Sequence, residues 1–152
     1  IGVTQTPYNY ALDGLFVGDQ PQTSYVLGAT LTPIKGLRLQ GIFKMYEKNY
    51  ADWSPAAREY DGSDADADRA QVWEAPGYNR LDLHGSYKLP KIGGLDMSIT
   101  GHVFNALDAL YVQDAVDNSP YNGFGDKLHL PHNAEVFLGT PRYANIGLTV
   151  NF

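Results

Sequence analysis

Two histidines, His84 and His102, occupy polar positions of neighbouring alternating segments, at similar distances from the turn at 90–94 between them. Cross-strand neighbours of this kind could present two imidazoles to one point. Two ligands leave a metal site incomplete, however, because zinc takes three or four from the protein. A second pair, His129 and His132, reads H-L-P-H, and Pro131 denies it the helical turn that would align both rings. Asp61, Asp64, Asp66 and Asp68 have the look of a calcium loop. Arg69 nevertheless stands where that loop needs Gly, and Ala75 where its closing Glu belongs. The four are weak calcium candidates, and no metal or other cofactor is expected. Catalysis finds no support either. The chain has no Gly-rich phosphate loop, no G-x-S-x-G elbow and no cysteine. Acid pairs such as Asp66 and Asp68 lie in a polar stretch where nothing fixes a shifted pKa. Tyr60, Trp73, Tyr121 and Phe124 also fall in polar stretches. They could stack on sugars, siderophores or peptides alike, or pack loop on loop.

The elements that would carry these residues are strands. The 152 residues carry a net charge of −6, which argues against a nucleic-acid partner. Mean hydropathy is −0.31, and no apolar run approaches the ~18 residues of a membrane helix. A membrane strand needs only every second residue to be apolar. Leu81, Leu83, Gly85, Tyr87 and Leu89 alternate with Arg80, Asp82, His84, Ser86 and Lys88. Leu95, Met97, Ile99, Gly101 and Val103 alternate with Asp96, Ser98, Thr100 and His102. Ala144, Ile146, Leu148, Val150 and Phe152 repeat the pattern at the C-terminal end. Earlier, Tyr25, Leu27, Ala29 and Leu31 form one apolar series, and Leu37, Leu39, Gly41, Phe43 and Met45 another. Strands are thus predicted at about 23–32, 37–50, 78–89, 95–111 and 142–152, with residues 1–22 as a loop.

The connections sort by length. Pro33–Gly36 and Pro90–Gly94 are short turns, whereas 51–77 and 112–141 are long and polar. Charge sorts along the same line: 52–74 and 108–135 carry a net −9, the strands and short turns a net +5. Short turns at one end and long loops at the other describe a transmembrane barrel, with turns periplasmic and loops outside. An Arg facing lipid near the midplane costs roughly 2–4 kcal/mol. Arg38, Gln40, Lys44, Arg80, Asp82, His84, Asp96, Thr100 and His102 are therefore expected to face a lumen. Tyr25, Tyr87 and Phe152 suit an aromatic girdle. About eight strands is the smallest useful barrel, so five must be completed by other polypeptide. The fold class is all-β, an antiparallel segment of a larger transmembrane barrel.

Several stretches resemble TonB-dependent outer-membrane receptors. VFNALDALY at 103–111 is similar to their "V-x-N-L-F-D-x-x-Y" element, matching at Val103, Asn105, Asp108 and Tyr111. GTPRYANIGLTVNF at 139–152 resembles their closing strand, and VGDQPQTSYVLGATLTPIKGLRL at 17–39 their "V-G-x-x-P" loop, strand and turn. YADWSPAAREY at 50–60 and DRAQVWEAPGYNRLDLHGSY at 68–87 look most like receptors of the Bacteroidetes branch. The resemblance implies the last five of roughly 22 strands, in the outer membrane of a Gram-negative bacterium. Residues 1–22 would then be an extracellular loop leading into the barrel. The implied function is uptake of a scarce nutrient such as a siderophore, glycan or peptide. Implied partners are the upstream strands and plug of the same receptor, the TonB system, the barrel-assembly machinery, outer-membrane lipid, the nutrient, and in some receptors a surface lipoprotein. Ile146, Leu148, Val150 and Phe152 resemble the terminal signal read by that machinery. A non-transporting barrel for adhesion or assembly and a soluble β-sandwich binding module are the competing expectations.

Overall fold

A computed structural model describes residues 7–91, 93–121 and 128–151. Expectations placed on Phe124 and Phe152 lie outside the described residues. The fold is all-β. In chain order the strands are β1 (Asn9–Tyr10), β2 (Pro21–Leu31), β3 (Leu37–Tyr50), β4 (Glu59–Tyr60) and β5 (Glu74–Ala75). They continue as β6 (Tyr78–Lys88), β7 (Asp96–Phe104), β8 (Val112–Asp117), β9 (Ala134–Leu138) and β10 (Tyr143–Asn151). Single 3₁₀ turns occur at Pro55–Arg58 and Pro131–Asn133. Among the described residues no helix is long and apolar enough to cross a membrane. The chain divides into two units: a sheet unit of residues 23–47, 77–111 and 138–152, and a loop unit of 1–22, 48–76 and 112–137.

In the sheet unit the strand order is β10-β7-β6-β3-β2, an open antiparallel sheet. Its register converts the alternation in the sequence into two chemically distinct faces. Leu39, Gly85, Gly101 and Ile146 are successive cross-strand partners, as are Gly41, Leu83, Val103 and Ala144. The adjacent rows on the other face read Gln40, His84, His102, Asn145 and Arg38, Ser86, Thr100, Gly147. The apolar face is open to solvent, with Leu27 70% and Ile146 80% exposed. Register is pinned by the two short turns. Gly36, at φ +85°, sits in the first, and a Cβ there would come within 3.0 Å of the Lys88 carbonyl oxygen. Gly36 O accepts a hydrogen bond from Lys88 N at 2.8 Å, tying that turn to the end of β6.

Three expectations on element bounds need correction. The strand expected over 95–111 ends at Phe104, because Asn105 and Asp108 adopt left-handed φ values of 49° and 53°. Local side-chain bonds from Asn105 compete there with the ladder. Residues 1–22 are not wholly loop: Asn9–Tyr10 pairs with β4, and β2 begins at Pro21. The long connections at 51–77 and 112–141 also hold ordered structure in β4, β5, β8 and β9.

The loop unit has its own small core. Ala51, Val72 and Ala115 are buried, with Tyr50, Trp53, Trp73 and Val112 packed against them. Main-chain bonds draw the segments together: Ala51 N donates to Trp73 O at 2.9 Å, and Asp117 N to Asp52 O at 2.8 Å. Gly18 lies against the same backbone so closely that a Cβ would fall 2.4 Å from the Asp52 Cα.

Candidate functional site

Arg38, Gln40, Lys44, Arg80, Asp82, His84, Asp96, Thr100 and His102 all share the polar face of the sheet, as cross-strand pairing requires. The charges of Lys44, Arg80, Asp82 and Asp96 are paired locally. Lys44 Nζ lies 2.9 Å from Asp82 Oδ2, and Arg80 Nη2 lies 3.6 Å from Asp82 Oδ1. Asp82 is buried, and its Oδ1 also accepts the Asn105 main-chain N–H at 3.0 Å. Asp96, near the short turn, meets Lys91 at 3.1 Å and Lys88 at 3.6 Å. A cavity of about 360 Å³ opens on this face, lined by Arg38, Gln40, Ser86, Thr100 and the two histidines. His84 and His102 are direct cross-strand partners, with Nδ1 atoms 2.8 Å apart.

The two sequence elements quoted for the family resemblance, at 103–111 and 139–142, meet in space. Asn105 Nδ2 donates to Ala109 O at 3.0 Å and Thr140 O at 3.2 Å, while its Oδ1 accepts from Ala109 N at 3.0 Å. Asp108 Oδ1 accepts from Arg142 N at 3.0 Å. Tyr111 is buried, stacked on Tyr78 with ring centroids 4.2 Å apart, and Arg80 lies 5.6 Å from its ring centre. Gly139 is required beside it, since a Cβ would sit 1.9 Å from the Tyr111 ring. The N-x-x-D-x-x-Y element is thus a brace that receives G-T-P-R and fixes the entry of β10 against the ends of β6 and β7.

In the loop unit the four calcium candidates form no common site. Asp61 Oδ1 caps the Ser63 N–H at 2.7 Å, Asp64 meets Arg69 at 3.0 Å, and Asp68 turns inward to Arg58 at 2.9 Å. Asp66 N donates to the Ser63 carbonyl at 3.0 Å. Among the described residues no three His, Cys, Asp or Glu are grouped so as to hold a metal ion. The side chains of Asp61, Asp64 and Asp68 cap a turn or anchor a neighbouring arginine instead.

Asp68 belongs to a buried network. His129 Nε2 lies 2.9 Å from Asp68 Oδ2, and His129 Nδ1 lies 2.5 Å from Asp117 Oδ2. Asp117 Oδ1 accepts from Ser119 Oγ at 2.6 Å. Arg58 is only 1% exposed. Hydrogen bonds of His129 to Asp68 and Asp117 therefore fasten the two long connections to one another. Sequence reasoning missed this network, whose members are 10, 12 and 61 residues apart. Arg58, one of only two cations at 52–74, was the one available signal.

The aromatic candidates separate. Trp73 packs on the core, and Tyr60 lies under Arg69 at 5.8 Å. Tyr121 is exposed and lines a cavity of about 650 Å³ with Val17, Asp52, Trp53, Pro55 and Asp117. Trp53 was not anticipated; its indole N–H donates to Phe16 O at 2.9 Å, which turns the ring edge inward and leaves part of the ring to the cavity. Ile146, Leu148 and Val150 project from one face of β10, all exposed. Among the described residues, the far edges of β10 and β2 have no strand partner within their sheet.

No family model, curated protein or solved structure matches the chain.

Proposed function

We propose that the chain is the C-terminal part of a TonB-dependent outer-membrane transporter for a scarce nutrient. The observation that carries the reading is the sheet with one exposed apolar face and one polar face that bears charges on β3, β6 and β7. In water, a contiguous apolar face of this extent marks a surface that something else covers. Lipid covers it without any further protein element, and a plugged lumen accommodates the opposite, charge-bearing face. The unpartnered edges of β2 and β10 are the places where the rest of a barrel wall would join. In this reading the loop unit is extracellular, and the cavity at Trp53 and Tyr121 forms part of the nutrient vestibule. Ile146, Leu148 and Val150 then serve both as lipid face and as part of the signal for barrel assembly. A soluble sandwich, which 152 residues are enough to build, would have to cover Leu83, Ile146 and Leu148 with a second sheet; all three are exposed.

Fractionation of cells making the full-length protein tests the barrel. The expected result is recovery in the outer membrane, resistance to alkaline extraction, and faster migration of unheated than of heated samples in SDS gels. Recovery as a folded monomer in detergent-free buffer overturns it. Transport is tested by growth on limiting nutrients. Cells lacking this protein should share a defect with cells lacking the TonB system, whereas a barrel used for adhesion would leave growth unchanged.

A further inference from the structure

We propose that His84 and His102 together bind a divalent copper or nickel ion through their Nδ1 atoms. The inference rests on the sheet unit alone and is independent of transport. Spacing in the sequence makes the two rings neighbours; the register and the distance supply the geometry. Two nitrogens each about 2.0–2.1 Å from one ion lie about 2.9 Å apart at a right angle and about 3.3 Å apart at a tetrahedral angle. The observed Nδ1–Nδ1 separation is 2.8 Å. At that separation, ring rotation brings both Nδ1 atoms within reach of one ion. Imidazole suits first-row divalent ions, and Cu²⁺ heads that series in affinity, with Ni²⁺ next below it.

The surroundings suit such an ion. Both histidines lie on strands hydrogen-bonded on each side, β6 between β3 and β7, and β7 between β6 and β10, so the chelate is held by rigid backbone. Phe104 covers one side, with its ring 5.4 Å from that of His84 and 6.1 Å from that of His102. The cavity of about 360 Å³ lies beside the pair, and Ser86, Thr100 and Gln40 offer oxygen atoms around it. Gly147 adds to the room, because a Cβ there would meet Thr100 Oγ1 at 2.9 Å. Arg38 lines the same cavity and opposes a bare dication. The occupant is therefore an ion carrying an anionic ligand, such as a carboxylate, in a remaining position.

Without metal, one Nδ1–H donates to the other Nδ1. On binding, that proton moves to Nε2 of the same ring through solvent, and each ring turns so that both Nδ1 lone pairs meet at the ion. No bond to carbon changes and no redox partner is needed. Proton and metal compete for the same lone pairs, so binding weakens on acidification.

Titration of the purified full-length protein with CuCl₂, followed by calorimetry and electron paramagnetic resonance, tests the site. The wild type should take up one tight Cu²⁺ with two-nitrogen hyperfine structure that the His84→Asn/His102→Asn double variant lacks. Each single variant should bind this ion roughly 100-fold more weakly, since one imidazole no longer holds it at high effective concentration for the second. His132→Gln should leave binding unchanged. Identical stoichiometry and spectra in wild type and double variant overturn the proposal, as does a wild type that binds no such ion. If the variants do not fold, protection of His84 and His102 from diethyl pyrocarbonate by CuCl₂ in the wild type decides the matter, and absence of protection overturns it.

Discussion

Gly139 and Tyr111 make the sharpest case for reading single residues physically. The ring fills the space that any side chain at 139 would need, so Gly139→Ala forces either the ring or the start of β10 to move. Overpacking of this kind costs about 1–3 kcal/mol, or more where backbone must shift. A lowered midpoint in thermal unfolding of the full-length protein is the expected outcome. Tyr111→Phe should do the opposite or nothing. The Tyr111 hydroxyl is buried and has no hydrogen-bond partner among the described residues. Removing it relieves an unmet desolvation cost. His129 differs from both. His129→Ala removes one hydrogen-bond partner from each of Asp68 and Asp117, which keep Arg58 and Ser119, a loss of about 1–3 kcal/mol where an acceptor is left unsatisfied. Faster protease cleavage and hydrogen exchange within 51–77 and 112–137 should report it. Asp19 supplies the pH dependence. Desolvation of its carboxyl, a hydrogen bond to Asp114 and the charges of Asp52 and Asp114 hold it above the usual carboxylate range. A folded-state value raised in this way favours the folded loop unit below the unfolded value of 3.8. That advantage is lost as pH rises through the raised value. Asp19→Asn should therefore raise the unfolding midpoint at pH 7 and remove the gain on acidification.

Elements explain why the sheet was easier to read than the loop unit. The alternation through Leu81, Leu83 and Gly85 repeats every two residues because the two faces of a strand meet two different environments. Short turns at Pro33–Gly36 and Pro90–Gly94 then leave little freedom in register. The Q-H-H-N row across four strands follows from those two facts. The end of β7 was less legible, because Asn105 and Asp108 read as part of an extended segment until their left-handed φ values are seen. The loop unit follows no period. Its cohesion depends on Arg58, Asp68, Asp117 and His129 meeting across distant segments, and on Trp53 turning its N–H toward Phe16. At this scale the faces themselves can be tested by substitution. Leu83→Arg should reduce outer-membrane assembly, at a cost of roughly 2–4 kcal/mol for a cation at the lipid midplane. Ser86→Arg, three residues along and on the opposite face, should assemble normally. Equal yields of the two variants in membrane fractions would contradict the assignment of faces.

Taken whole, the molecule joins a sheet that lacks cover on its apolar face to a loop unit with a core of its own. In the proposed reading the first belongs to a barrel wall and the second to a binding vestibule. The vestibule reading predicts that Tyr121→Ala, at an exposed position lining the Trp53 cavity, weakens nutrient binding without lowering stability. The central claim is that lipid covers the apolar face. The chain holds no cysteine, so single spin labels can be placed at will. Labels at positions 39, 83, 146 and 148 and at 38, 84, 100 and 145, in protein reconstituted into bilayers, can be probed with dissolved oxygen and with a water-soluble nickel chelate. A lipid-covered face gives high oxygen and low chelate accessibility at the first four, and the reverse preference at the second four. Low accessibility to both reagents at 39, 83, 146 and 148 would place that face against protein and contradict the barrel.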